Sequence, residues 1–198
     1  MADCDREKIV TVNMKLKEIL FRHRDRPGAC SSSIDGLSLV RREAVDSSER
    51  CIEKPLVSVI VQGVKHSTVG TQEYRIRENQ CLVSGVDMPS ASYVVEPTPE
   101  KPFLSLFFYL DRQMLTDLVM EMEPENRPHR MGGQGVSVAD AEPESLESLL
   151  RLAELLDKPK QIAIRAPIIC ASCTTCFLSA RRAAFCRDCT RRGRRTIR

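Results

Sequence analysis

Four short apolar runs decide the fold: LVSVIV at residues 56–61, CLVSGV at 81–86, ASYVV at 91–95 and FLSLFFYL at 103–110. Each run has about the length of an ordinary β-strand. Turn-forming residues divide them at fairly even spacing, namely Gly70 with Thr71, Glu78 with Asn79, Pro89 with Ser90, and the segment 97–102. Short strands at regular spacing with turn residues between them are typical of a β-barrel or a β-sandwich.

The last run indicates that both faces of the predicted sheet are covered. Alternate residues from Phe103 to Tyr109 point to one face, and those from Leu104 to Leu110 point to the other. Both sets are largely apolar. A sheet that is apolar on both faces is favoured when it is rolled around its own interior and helices pack on the outside. The sequence therefore predicts a mainly β barrel with flanking helices.

An amphipathic helix is predicted before the strands, over residues 5–21. Its apolar side chains recur at steps of three and four on one face, and they are Ile9, Val12, Leu16 and Ile19. Arg26, Pro27 and Gly28 are expected to end it.

A second amphipathic helix is predicted over residues 142–157. Its main apolar stripe consists of Leu146, Leu149, Leu150, Ala153 and Leu156. Leu152 and Leu155 lie outside that stripe, and a helix that is apolar on more than one side needs a second packing surface. That surface is either a partner subunit, which makes Leu152 and Leu155 candidate dimerisation residues, or another part of the same subunit.

Charge divides the chain into two regions of opposite sign. The formal charge of +3 splits into +7 for residues 170–198, with eight arginines and one aspartate, and −4 for the other 169 residues. A nucleic-acid-binding domain is expected to show a basic face. The net negative charge of residues 1–169 does not favour such a face. No apolar run reaches the roughly 18 residues of a membrane span, and the N-terminus is unlike a secretory signal. We expect a cytoplasmic protein.

The order of residues in the core resembles that of a known family. PLVSVIVQGVK at 55–65 is followed by Tyr74, by CLVSGVDMP at 81–89, by EKPFL at 100–104 and by Leu110 with Asp111. This order is similar to the N-terminal domain of AraC-type transcriptional regulators, over residues 5–169. The combination of the Gln62-Gly63 strand end with the turn at 86–89 is its most specific part.

The resemblance implies a cupin-like, double-stranded β-helix barrel that senses a small organic effector and forms a homodimer. In that family a helix-turn-helix domain follows and reads the promoter, but no such pattern follows residue 169. The expected divisions are a sensor barrel with its N-terminal helix at 1–122, a connector at 123–144, a helical dimerisation and linker region at 145–169, and a tail at 170–198. We therefore expect a truncated, non-enzymatic regulator that could contact DNA only through the missing domain.

Candidate ligand-binding residues are the polar groups within or beside the strands, because a small barrel with an apolar interior and a few polar groups forms a plausible pocket. They are Gln62, Tyr74, Ser84 and Tyr93. The strand pattern leaves open which face each of them occupies.

A metal-dependent cupin enzyme is the first alternative. Such enzymes hold their ion with a His-x-His pair, a glutamate and a later histidine. This chain has only His23, His66 and His129, which lie far apart and form no His-x-His pair. Cys81 and Ser84 have no histidine and acid partner that would mark a nucleophile. We expect neither a metal cofactor nor catalysis.

A zinc ribbon in the tail is the second alternative. Cys173 and Cys176 are followed after nine residues by Cys186 and Cys189, which is the ligand spacing of a small zinc site. The surrounding arginines would then contact nucleic-acid phosphates. The pairs lack following glycines, however, and residues 177–185 show little strand pattern.

The composition of the tail favours a change of reading frame near Ile169. Residues 170–198 hold five cysteines and eight arginines but no lysine and no glutamate. With permitted synonymous codons, back-translation from Cys170 and reading from the third nucleotide gives RELHYLLPVCPQGGILQGL. A similar segment joins the sensor to the first helix-turn-helix domain in AraC-type regulators. We expect the tail to be out of frame and disordered, or only locally helical.

Overall fold

The computed structural model of the protein describes residues 2–45, 49–85, 87–121 and 136–193. Within them the chain forms ten β-strands and four α-helices. The strands are β1 (Gly28–Ser31), β2 (Leu37–Arg42), β3 (Glu49–Glu53), β4 (Leu56–Gln62), β5 (Val64–Val69), β6 (Gln72–Arg77), β7 (Gln80–Ser84), β8 (Met88–Val95), β9 (Phe103–Tyr109) and β10 (Val136–Asp140). The helices are α1 (Ala2–His23), α2 (Arg112–Glu121), α3 (Pro143–Glu154) and α4 (Pro159–Gly193), with a 3-10 turn at Leu155–Asp157 before α4.

The strands form two antiparallel sheets. The large sheet has the order β1-β2-β9-β4-β7-β10, and the small sheet has the order β3-β8-β5-β6. One buried apolar cluster draws its members from both sheets, so the sheets face each other and enclose an interior. The prediction of a mainly β barrel with helices at both ends is confirmed.

The chain crosses from the large sheet to the small sheet at Gly63, between β4 and β5. Its φ of +90° lies in the left-handed region that favours glycine, and an added Cβ would lie 3.2 Å from the Phe103 ring. Any side chain at this position would therefore be strained in the backbone and crowded by β9.

Helices cover the outer face of the large sheet. Val57, Val59 and Val61 of β4 point away from the interior and are buried against the helices, in one core with Leu16 and Leu20 of α1. The same core includes Leu146, Leu149 and Leu150 of α3. This second core explains why alternate residues of the central strands are apolar on both faces.

Packing around α3 decides between the two readings of Leu152 and Leu155. Both side chains are buried in the core of their own subunit, with exposures of 0% and 1%. Helix α3 contacts both α1 and α4, so it needs apolar residues on more than one side. Leu152 and Leu155 are thus core residues in this structure and are not accessible to a second subunit.

Strand β10 falls inside the segment that the sequence predicted as a connector at 123–144. It pairs with β7 at the edge of the large sheet, and Val136 is buried in the interior of the barrel. Residues 122–135 lie outside the described part of the chain. A five-residue edge strand is too short to show a clear period, which is why the sequence pattern did not reveal it.

Helix α4 continues past Ile169, so the packed domain extends beyond the boundary that was predicted at residue 169. Cys173 and Phe177 are buried in the same core as α3, and the Phe177 ring centroid lies 6.2 Å from that of Phe108. Together with Ala166 they form an inward stripe at steps of seven and four residues, as one face of a helix requires. Residues 170–177 therefore pack as part of the domain, contrary to the expectation of a disordered tail from 170.

Candidate functional site

The interior between the two sheets, called the lumen below, is the candidate site. Its apolar lining is formed by Leu56, Ile60, Val69, Ile76, Leu82, Val94, Phe103 and Val136. Val40, Tyr74 and Val138 pack against this lining and are partly buried. These side chains pack together and form the inner core of the barrel.

Serines alternate with the apolar residues on the lumen side of both sheets. Each stands two residues from a lumen residue of the same strand or in register with one, and each is buried: Ser38, Ser58, Ser67, Ser84, Ser90 and Ser105. A hydroxyl in an apolar interior costs free energy unless it is hydrogen-bonded. The lumen thus carries small polar groups where packing alone would favour aliphatic side chains.

Three residues with hydroxyl side chains form a row across the small sheet. Ser67 of β5 stands in register with Tyr74 of β6 on one side and with Ser92 of β8 on the other. Ser67 is 2% exposed, and among the described residues its Oγ has no hydrogen-bond partner. A buried hydroxyl without a partner leaves its desolvation uncompensated, so Ser67 is the group most in need of a ligand atom.

Lys65 lies two residues before Ser67 and therefore on the same face of β5. It is in register with Ile76 and Val94, both of which line the lumen. Its side chain is half-buried, and the structure gives it no ion pair or hydrogen bond within the described residues. By contrast, Lys17 is paired with Glu78 at 3.1 Å, and Arg41 with Glu43 at 2.6 Å.

Two of the four candidate ligand-binding residues, Tyr74 and Ser84, lie on the lumen side. The irregularity between Ile60 and Gln62 brings Gln62 into register with Leu104, a residue of the helix-side core. Gln62 is half-buried, and its Nε2 donates a hydrogen bond to the carbonyl oxygen of Pro102 at 2.8 Å. The Tyr74 hydroxyl donates to Gln72 Oε1 at 2.8 Å. Ser84 is buried in register with Leu56. The Gln62 side chain therefore links the end of β4 to Pro102, the residue before β9. Tyr74 and Ser84 contribute to the lumen lining.

Tyr93 lies on the outer face of the small sheet, opposite to the lumen. It alternates with Ser92 and Val94, is 45% exposed, and stacks on the His66 ring with centroids 5.2 Å apart. The structure therefore separates Tyr93 from Tyr74 and Ser84, and it shows that His66 is the stacking partner of Tyr93 on the outer face.

Sequence reasoning missed Lys65 and Ser67. Both lie in β5, whose lumen face reads Lys-Ser-Val and whose outer face reads Val-His-Thr, so neither face shows an apolar alternation. The signal that would have revealed the strand is the pairing of two turns, at Gly63 and at Gly70, which bound a segment of strand length.

The histidines do not converge on a metal site. His23 lies at the end of α1, where its Nε2 is 2.8 Å from Asp157 Oδ1, and His66 lies on the outer face of the small sheet. His129 lies outside the described residues. Among the residues that the structure describes, no three His, Cys, Asp or Glu side chains are grouped as metal ligands.

Helix α4 also argues against the zinc ribbon. Cys173, Cys176, Cys186 and Cys189 all fall on this one helix. At a rise of 1.5 Å per residue, positions 176 and 186 lie about 15 Å apart along its axis, too far for one ion with bonds of about 2.3 Å.

The environment of Cys173 supports the same conclusion. Its Sγ lies 3.2 Å from Ser148 Oγ, and burial raises the pKa of the thiol to about 12. Metal ligation and nucleophilic attack both need the thiolate, which this environment disfavours. Cys173 therefore acts as a packing residue.

None of the helices in the described ranges is long and apolar enough to span a membrane. Comparison with curated protein sequences finds no match.

Solved structures with a similar fold include two of ToxT from Vibrio cholerae. An apo variant is 7% identical, covers 67% of this chain and 54% of its own, and has a TM-score of 0.47. A form with a bound unsaturated fatty acid is 8% identical, covers 73% and 51%, and has a TM-score of 0.46. The AraC-like activator CuxR is 10% identical, covers 70% and 52%, and has a TM-score of 0.42. The chain spans about half the length of these regulators.

The amino-acid sequence also matches the model of a protein family. The family described as the AraC-type transcriptional regulator N-terminus matches residues 33–176, which include β2 to β10, α2, α3 and the first half of α4. Since the match covers more than half of the chain, the protein belongs to the family of AraC-type transcriptional regulator N-termini.

Proposed function

We propose that this domain senses a small organic effector in its lumen on behalf of a transcriptional regulator. The observation that carries the proposal is the unpartnered Ser67 hydroxyl inside an apolar lumen. A lumen that served stability alone would be expected to satisfy or omit such a group. Membership in a family of transcriptional regulator N-termini supports a regulatory role, and the match spans β2 to β10, which carry the residues of the lumen.

A ligand screen on matched variants tests this function. Thermal unfolding of the purified protein is measured against a library of small organic molecules, because a ligand that binds the folded state raises the unfolding temperature. Ser105→Phe narrows the lumen from the large sheet, whereas Thr68→Val changes the outer face of β5. We expect ligands that stabilise the wild type and Thr68→Val but not Ser105→Phe. Stabilisation that is equal in both variants would place binding outside the lumen and reject the proposal.

The proposal includes self-association, with α4 as the contact surface in place of Leu152 and Leu155. Ile164 and Ile168 lie four residues apart on α4 and are 74% and 67% exposed. Residues at this spacing share one face of a helix, so the same pair from a second copy could pack against them across a twofold axis. Burial of each isoleucine would contribute about 2 kcal/mol to a dimer.

In this proposal the domain is cytoplasmic and non-enzymatic, and it acts on DNA through a helix-turn-helix unit of the whole regulator. The competing enzyme reading would place His66 in catalysis. His66 is stacked on Tyr93 at the outer face of the small sheet, away from the lumen. A substrate screen in which turnover disappeared with His66→Ala would favour the enzyme instead.

A further inference from the structure

Basic side chains from three segments meet at one end of the molecule. The segments are the C-terminus of α1 with the turn after it, the end of β2, and the residues that join α3 to α4. Contacts connect them, since Asp157 accepts a hydrogen bond from Arg22 and Arg41 Nη1 donates to the carbonyl oxygens of Arg24 and Asp25 at 3.2 Å. The cations of this surface, called the basic end below, are Arg22, Arg24, Arg26, Arg41, Arg42, Lys158 and Lys160.

The basic end differs in charge from the rest of the body. Its seven cations face three carboxylates, those of Asp25, Glu43 and Asp157, so its formal charge is +4. Residues 1–169 together balance at −4, and the other residues of that range therefore carry −8. The net charge of the body did not favour a basic face, because only the folded chain brings these three segments together.

Three cations of the basic end have partners within the molecule. Arg22 is paired with Asp157 at 2.5 Å, and Arg41 with Glu43 at 2.6 Å. Arg42 also has an interaction within the chain. The carbonyl groups at the C-terminus of α1 carry partial negative charge and favour nearby cations as well. Stability of the fold is therefore sufficient to explain these three residues.

The other four cations have no acidic partner among the described residues. Arg24 Nε and Nη2 donate to backbone carbonyl oxygens of the turn that follows α1, and not to a carboxylate. Arg26, Lys158 and Lys160 are exposed and form no ion pair within the described ranges. Their positive charge is available to a partner from outside the domain.

Two guanidinium groups stand side by side at Gly28. An added Cβ at this glycine would lie 2.6 Å from Arg24 Nη2 and 3.8 Å from Arg42 Nη1. Two like charges in such proximity repel each other, and a partner whose anionic groups approach both of them lowers this repulsion.

From this arrangement we infer that the basic end binds the phosphate backbone of double-stranded DNA. A duplex presents closely spaced phosphates, and arginine and lysine side chains bind them through charge-assisted hydrogen bonds. DNA is the polyanion beside which the proposed regulator would hold this domain, since the chain belongs to a family of transcriptional regulator N-termini. Contacts to phosphates fix position and carry no sequence information. The inference goes beyond the proposed function, in which DNA is contacted only by a helix-turn-helix unit, and it does not depend on the lumen.

The salt dependence of DNA binding tests the inference, because it counts phosphate contacts. The wild-type protein is titrated into a fluorescein-labelled duplex of mixed sequence, and the dissociation constant is measured by fluorescence anisotropy at several salt concentrations. Each phosphate contact contributes about 0.9 to the slope of log K against log salt concentration. The arginines of residues 170–198 add to this slope, so each variant is compared with the wild type.

The first variant neutralises three exposed cations of the basic end. It combines Arg26→Gln, Lys158→Gln and Lys160→Gln. We expect the slope to fall by about 2 to 3, and we expect binding to weaken by the same factor on duplexes of different sequence.

The matched control neutralises one arginine and two lysines elsewhere. It combines Lys8→Gln, Lys54→Gln and Arg75→Gln, all at exposed positions. Lys8 is about 20 Å from the end of α1 along the helix axis, and Arg75 lies on the outer face of the small sheet. The two triple variants have the same net charge, and the control should keep the wild-type slope. Urea unfolding curves verify that both are folded.

Three outcomes would overturn the inference. They are a wild-type slope in the variant of the basic end, an equal loss of slope in both triple variants, and an absence of DNA binding by the wild type. A competition experiment separates DNA from an acidic protein partner. We expect unlabelled duplex to displace the labelled duplex at a lower charge concentration than poly-L-glutamate. More effective displacement by poly-L-glutamate would assign the basic end to an acidic protein and reject DNA.

Discussion

Ser67 and Tyr74 are direct partners across β5 and β6, yet they differ in hydrogen bonding. The Tyr74 hydroxyl donates to Gln72 Oε1 at 2.8 Å, whereas the buried Ser67 Oγ has no partner in the part of the chain that the structure describes. Two hydroxyls of one row therefore have opposite energetic consequences for the ligand-free protein. The Tyr74 hydroxyl is hydrogen-bonded at an exposed position, whereas the Ser67 hydroxyl is buried and unpaired among the described residues.

Ser67→Ala should stabilise the ligand-free protein. Removing a buried hydroxyl without a partner relieves a desolvation penalty of about 1–3 kcal/mol. We expect the free energy of unfolding in urea to rise by about 1 kcal/mol. The matched control is Ser148→Ala, whose buried Oγ lies 3.2 Å from Cys173 Sγ and 3.4 Å from Ser172 Oγ, and which should lose stability. A loss of stability in Ser67→Ala would show that the hydroxyl is satisfied.

Asp157 should make a small contribution to acid sensitivity. It accepts a hydrogen bond from Arg22 Nη1 at 2.5 Å and lies 2.8 Å from His23 Nε2. The hydrogen bond with His23, and then that with Arg22, lowers the pKa of Asp157 below its ordinary value of 3.8. Because the folded pKa is depressed, its contribution to stability is present above that ordinary value and is lost as pH falls through the folded pKa.

Asp157→Asn tests this relation. The carboxylate is about a third exposed, so we expect a stability loss of less than about 1 kcal/mol at pH 6. The difference from the wild type should shrink toward zero as pH falls below 3.8. Thermal unfolding between pH 6 and pH 2 measures it, and a difference that persists unchanged at the acid end would contradict the assignment.

Substitutions on α3 and α4 should separate folding from dimerisation. Leu152→Ala is expected to cost about 2–5 kcal/mol of unfolding free energy because it leaves a cavity in the core. Ile164→Glu should cost less than about 0.5 kcal/mol in the monomer, since Ile164 is exposed. Sedimentation equilibrium should show weaker self-association for Ile164→Glu than for the wild type. An unchanged dimer in Ile164→Glu would reject α4 as the interface.

Cys173 should resist thiol reagents in the folded protein. Burial raises its pKa to about 12, and the reactive species is the thiolate. At pH 8 we expect modification of the exposed Cys4 and Cys30 well before Cys173, with Cys173 reacting after denaturation. Mass spectrometry of time-quenched samples measures the order. Rapid labelling of Cys173, or stoichiometric zinc that is lost with Cys173→Ser, would contradict its role in the core.

We propose that the gene changes reading frame near Ile169, and its nucleotide sequence tests this. The cysteine and arginine content of residues 170–198 and the back-translated segment favour the change. The alternative frame should stay open past Ile169 and encode the RELHYLLPVCPQGGILQGL segment or one close to it. Stop codons in that frame directly after Ile169 would reject the proposal.

The sequence by itself determined the elements whose apolar period is strong. Helices α1 and α3 and strands β4, β7 and β9 were predicted within a few residues, because each buries a continuous face and therefore shows it in the residue spacing. At the start of α2, Asp111 Oδ1 accepts a hydrogen bond from the Met114 amide at 2.7 Å, as an N-capping residue does. Strands β5 and β6 were not predicted, because their lumen faces are partly polar and show no apolar alternation.

Tertiary structure alone decided which polar residues face the lumen and what covers the leucines of α3. The alternation along β8 places Tyr93 opposite to Ser92 and Val94, but it does not say which of the two faces the second sheet encloses. Similarly, the spacing of Leu152 and Leu155 shows that they need a partner surface, and only the contacts of α3 with α1 and α4 show that the same subunit provides it. Periodicity fixes the relative direction of neighbouring side chains, whereas burial depends on residues that are distant in sequence and meet only in the folded chain.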